Sequence, residues 1–99
     1  MSTSGRFFVY LLASRKYGSL YLGMTGNLIA RIYIHREDLL DGFSSRYHVH
    51  RLVYFEQHET ALAAIAREKQ LKKWRRAWKI DLIERDNPDW VDRFEEVSS

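Results

Sequence analysis

Apolar residues are packed densely near the start of the chain and then spread to helical spacing. Phe7-Phe8-Val9-Tyr10-Leu11-Leu12 is an unbroken apolar run rich in β-formers, as expected of a strand buried on both sides, and Ser14 to Gly18 supplies turn residues after it. Ser19 to Met24 predicts a second strand, with Leu20, Leu22 and Met24 on one face and Ser19, Tyr21 and Gly23 on the other. Thr25 or Asn27 is placed to cap a helix from about Leu28 to Asp38, followed by a polar loop through Asp41-Gly42, Ser44, Ser45 and Arg46. Arg51 to Glu56 reads as a third strand. From Thr60, an N-cap, a helical pattern runs to about Asp86 with a break near Trp74 to Arg76. Pro88 suits the first position of a short last helix capped by Asn87, with Trp90, Val91, Phe94 and Val97 inward.

The order strand, strand, helix, strand, helices predicts an α+β domain with a small, largely antiparallel three-stranded sheet flanked by helices. At 99 residues, with no repeat or linker, one domain is expected over 1–99 with its core at about 6–97. There is no cysteine, which excludes a disulfide framework, a thiolate zinc site and a cysteine nucleophile. No run approaches the roughly 20 apolar residues of a membrane span, and Met1 to Arg6 is too short and polar for a secretory signal, so no membrane partner and a cytoplasmic location are expected. Charge changes the picture more. The stretch Arg67 to Lys79 carries seven basic residues against Glu68 alone, which polarises a chain whose formal charge is only +3. Such a stretch is either a solvated helical face or a site for a polyanion.

Three polar placements break the folding pattern, and breaks of that kind mark function. On the second strand, Tyr21 shares a face with Gly23, where a backbone or ligand can approach closely. On the helix after Thr25, Asn27, Arg31 and His35 fall at four-residue steps and form one polar stripe, which is either a wet face or an Arg–His site for one ligand. In the long helix, Glu68 falls within the stripe of Ala61, Ala64, Ile65 and Leu71, so its carboxylate needs an arginine, a hydrogen bond or a metal ion.

Phe8-Val9-Tyr10, then Tyr21-Leu22-Gly23, Asn27-Leu28, Arg31, His35 four residues later, and Glu68 within Arg67-Glu68-Lys69-Gln70-Leu71-Lys72 together resemble the GIY-YIG nuclease superfamily. The resemblance runs from Phe8 to about Asn87 and is nearest to small standalone bacterial members similar to the N-terminal nuclease domain of the excinuclease C subunit. The first tripeptide keeps only its tyrosine. Met24 stands where the excinuclease group has a lysine that assists tyrosine deprotonation, which leaves His35 as the helper.

What the resemblance implies is a GIY-YIG-like fold and a metal-dependent endonuclease hydrolysing phosphodiester bonds in nucleic acid, DNA before RNA, of a repair or recombination type. In that frame Glu68 holds one divalent ion, Mg²⁺ or else Mn²⁺, and Arg31 clamps the scissile phosphate. Tyr10 acts as general base towards water with His35 taking or orienting its proton, Tyr21 positions water or phosphate, and the tyrosines' roles are exchangeable. Asn87 corresponds to the family's terminal asparagine and also has a structural reading as a cap. Lys69, Lys72, Lys73, Arg75, Arg76 and Lys79 track the backbone, while Trp74 and Trp78 either stack on bases or pack as a buried pair. The alternatives are a non-catalytic nucleic-acid-binding module on the same scaffold and, from another class, a transition-metal site of His48, His50 and His58. With no room for an attached recognition domain in 99 residues, specificity is open between recognition of branched, nicked or flapped structures, weak action on any duplex or single strand, and a targeting protein partner; the oligomeric state is open.

Overall fold

The computed structural model describes residues 7–37 and 49–98. The predicted elements form in the expected order: β1 (Phe7–Ala13), β2 (Leu20–Thr25), α1 (Leu28–Arg36), β3 (Arg51–His58), α2 (Ala61–Lys72), α3 (Arg76–Asp86) and α4 (Phe94–Ser98). The strands make an antiparallel sheet in the order β2-β1-β3. The Asp41-Gly42 loop, Ser44, Ser45, Arg46 and His48 lie outside the described residues.

β1 is central, and its alternating side chains feed two cores. Val9, Leu11 and Ala13 meet Ala64 and Leu71 of α2 and Leu82 and Ile83 of α3 on one face. Tyr10 and Leu12 meet Leu28 and Ile32 of α1 on the other, with Phe94 and Val97 of α4 packed alongside. This explains the unbroken apolar run: a strand buried on both sides has no solvent face to mark with polar residues. Leu20, Leu22 and Met24 of β2 join the α2 side, and Tyr21 the α1 side, as the two-residue period required.

The caps hold as written in the sequence. Asn27 accepts from Ala30 N–H at 3.1 Å to start α1, and Thr60 accepts from Ala63 N–H at 3.1 Å to start α2. The long helical pattern breaks where expected: α2 closes at Lys73, and Arg75 is extended before α3 begins.

The C-terminal segment differs from the expectation. No helix begins at Pro88; Trp90 takes a left-handed φ of 57°, and Val91 is exposed rather than inward. The competing interactions are specific. Trp90 is fully buried while its indole N–H donates to Glu84 at 2.7 Å, and Arg93 N–H donates to Leu52 O at 2.8 Å. Asp92 accepts from Leu52 N–H and Phe94 N–H and pairs with Arg36, tying β3 and α1 to the start of α4. Asn87 is therefore the C-cap of α3, not the N-cap of a helix at Pro88. Its side chain donates to Val53 O and Val91 O at 3.1 and 2.9 Å and accepts from Val91 N–H at 3.0 Å.

Asn87→Ala should lower stability by about 2 kcal/mol, since it takes a donor from the buried Val53 carbonyl and breaks both bonds to Val91 together. Urea unfolding of the two proteins measures this, and an unmoved midpoint would show the amide to be dispensable to the fold.

Candidate active site

Tyr10 on β1 lies opposite Gly23 on β2 in the sheet register. The missing side chain at position 23 is filled by the tyrosine itself. A Cβ on Gly23 would sit 2.5 Å from the Tyr10 hydroxyl oxygen, 2.6 Å from Cζ and 3.0 Å from the Tyr21 ring. Glycine is thus required by close approach, and any larger residue would displace the Tyr10 ring.

α1 brings the next two groups. Its buried line is Leu28, Ile32 and His35, with Arg31 half-buried at the edge of that line. His35 is 1% exposed, so the wet-face reading fails for it; Asn27, the first member of the predicted stripe, is spent on the cap. The Tyr10 hydroxyl lies 3.2 Å from Nε2 of His35. The rings of Tyr10, Tyr21 and His35 form a closed triangle, with centroids 6.0 Å (Tyr10–His35), 4.9 Å (Tyr21–His35) and 6.3 Å (Tyr10–Tyr21) apart. Met24 points to the opposite core, away from His35.

Electrostatics set the protonation states. Burial lowers the His35 imidazole from 6.5 to about 4, and the charges of Arg31 and His50 push in the same direction. Burial raises the Tyr10 phenol well above its ordinary value, helped by Tyr21 and Glu68 and opposed by the charge and hydrogen bond of Arg31. At neutral pH the pair is therefore a phenol and a neutral imidazole, with O–H donating to Nε2 when Nδ1 carries the ring proton.

Glu68 approaches from the other side. α2 packs over β1 and β2, and the negative charge of Glu68 reaches Tyr10. Its side chain is 21% exposed, at the margin of the apolar stripe rather than inside it, with Lys72 Nζ 3.5 Å away. That separation is loose for a charge-assisted hydrogen bond and leaves the carboxylate open to a cation. Among the described residues, no group of three His, Cys, Asp or Glu side chains is arranged to hold a metal. A single hard oxygen ligand suits an ion such as Mg²⁺, which fills its other positions with water and substrate oxygens. Of the histidines in the three-histidine alternative, His58 lies 2.7 Å from Glu56 and the charge of His50 acts on His35, while His48 is outside the described residues.

The basic residues divide by role. Lys69 and Lys73 are exposed, Lys72 borders Glu68, and Lys79 is half-buried. Arg75 lies over the Trp78 ring, 5.1 Å from its centroid. Arg76 donates to Tyr17 O and Gly18 O at 2.9 and 2.6 Å and so braces the β1–β2 turn. Trp74 packs against the core, and Trp78, at 5.9 Å edge-to-face from it, is half exposed. Asn87 has its amide occupied by Val53 and Val91.

Sequence reasoning missed a polar network that joins β3 to Arg67 of α2. Glu56 accepts from the Tyr54 hydroxyl, lies 2.7 Å from His58 Nε2 and accepts from Arg67 Nε–H at 2.9 Å. Burial would raise its carboxyl, but hydrogen bonds from Tyr54, His58 and Arg67 hold it below the ordinary range. The signal was present: Tyr54, Glu56 and His58 alternate along β3 and share a face.

The GIY-YIG catalytic domain family matches residues 6–81, a span that holds Tyr10, Tyr21, Arg31, His35 and Glu68 and ends before Asn87. Searches of curated proteins and of solved structures returned no match.

The His35 environment predicts an acid-sensitive fold. A histidine that binds its proton more weakly when folded contributes nothing to the pH dependence above about 6.5 and lowers stability as pH falls from there to about 4. The loss is on the order of 3 kcal/mol over that window. Unfolding free energies of wild type and His35→Gln measured from pH 7 to pH 4 should differ in slope, with the variant flatter; parallel curves would contradict a buried neutral imidazole.

Proposed function

The chain belongs to the GIY-YIG nuclease superfamily, and on that premise we propose that it is a metal-dependent endonuclease hydrolysing phosphodiester bonds, with DNA as its substrate. The observation that carries this reading is the meeting of Tyr10, Tyr21, Arg31 and His35 at a point where the charge of Glu68 also acts. Glycine at position 23 and burial of the Tyr10–His35 pair preorganise the cluster. A binding module needs cations, but it has no use for a phenol held against an imidazole.

Hydrolysis requires an oriented water, and positive charge around a phosphorus centre whose oxygens gain negative charge. Arg31 is the cation placed against Tyr10 and holds a phosphate oxygen. A divalent ion on Glu68 would supply further positive charge to the phosphate and cancel the carboxylate charge that raises Tyr10. Tyr10 orients the water and takes its proton when its own passes to Nε2 of His35; Arg31 already pulls the phenol in that direction. Tyr21, half-buried at the mouth of the triangle, positions water or phosphate. Lys69, Lys72, Lys73 and Arg75 hold the strand beside the scissile bond, so binding weakens steeply with salt.

Labelled single-stranded, duplex, flap and junction DNA, incubated with Mg²⁺, Mn²⁺ or EDTA, tests the reading. Cleavage should require metal, and Glu68→Gln and Tyr10→Phe should each reduce it by about a hundredfold or more in folded protein. Salt-sensitive binding with no cutting of any substrate would instead establish the non-catalytic module.

A further inference from the structure

α2 has little packing to fix its rotation. Its first turns are Ala61, Leu62, Ala63, Ala64, Ile65 and Ala66; Leu62 is 79% exposed, and only Ala64 and Leu71 are buried along the whole helix. At 100° per residue, Arg67 and Glu68 fall on opposite flanks of the Ala64–Leu71 line, so a roll that freed one would carry the other inward.

Arg67 is held on its flank by several contacts. Its Nε–H donates to Glu56 on β3 at 2.9 Å, its Nη1 donates to Gln70 Oε1 at 2.8 Å, and its guanidinium lies 5.4 Å from the Trp74 ring centroid. Glu56 is pinned in turn by Tyr54 and His58. We infer that Glu56 and Arg67 are positioning residues: their ion pair locks the rotation of α2 on the sheet and thereby turns Glu68 toward Tyr10. Neither touches the reacting groups. Their functional weight rests on the reading of Glu68 as the metal ligand, but the geometric claim does not.

The test separates the two. In metal-free protein carrying ¹³C-labelled tyrosine, Glu68→Gln should shift the Tyr10 ring signals in an otherwise wild-type chain, and should leave them unmoved in a Glu56→Gln or Arg67→Met background. Tyr54→Phe is the control, because it removes the hydroxyl that meets Glu56 and Arg67 but leaves the Glu56–Arg67 ion pair itself; in that background the shift should persist at similar cost to stability. In parallel, Mn²⁺ affinity read from the electron paramagnetic resonance of free Mn²⁺ should weaken about tenfold in Glu56→Gln and Arg67→Met. The double variant should be no weaker than either single one. Cleavage should lose kcat at unchanged KM for DNA. A Tyr10 shift that survives Glu56→Gln overturns the inference. A shift that disappears as expected, in a protein whose Mn²⁺ binding ignores Glu68→Gln, upholds the lock and overturns the metal reading instead.

Discussion

Burial of β1 on both faces is the constraint from which the rest of the molecule follows. A strand with no solvent face needs a hydrogen-bonded neighbour at each edge and a covering element above and below, and β2, β3, α1 and the α2–α3 pair supply these. The same constraint puts Tyr10, an amphipathic residue, in a fully buried position. A buried phenol must be hydrogen-bonded, and His35 meets that need from α1. The Tyr10–His35 cluster is thus the polar defect of one core, tolerated because its members satisfy each other.

This origin explains the electrostatic character of the site. Tyr10 and His35 are both pushed toward their neutral forms by the same loss of water, so the resting pair stores no separated charge. Cations are what disturb that balance, and the protein offers Arg31 inside and a basic stretch outside. A polyanion is therefore met by fixed positive charge before it meets the phenol.

Much of this was legible in the sequence. Strand periodicity put Tyr21 and Gly23 on one face, four-residue spacing joined Arg31 to His35, and the break at Trp74 to Arg76 was marked by the chain itself. What stayed hidden depended on partners distant in sequence. Asn87 reads locally as a cap for a helix at Pro88, but a carbonyl of β3 and the buried Trp90 impose a different turn. Glu68 reads as buried because helical periodicity cannot tell the centre of a stripe from its margin. Glu56 and Arg67 lie 11 residues apart on different elements, and nothing in either local pattern announces that they meet.

The irregularity between Leu11 and Leu12, where β3 places one extra residue against β1, decides which face Glu56 occupies. Leu52 lies on the α1 side, yet Val53 and Tyr54 both lie on the α2 side, so every later residue of β3 is inverted relative to an unbroken pairing. In an unbulged strand Tyr54, Glu56 and His58 would project toward α1, and Phe55 toward α2. Descendants of this chain are therefore freer to exchange residues in β3 than to change its length beyond the bulge. A single-codon insertion between Tyr54 and Phe55 would alter no residue of the Tyr10–His35 cluster, yet it would turn Glu56 and His58 into the core beneath Arg31 and His35, whereas deletion of the extra residue Val53 would restore regular pairing and leave their face unchanged.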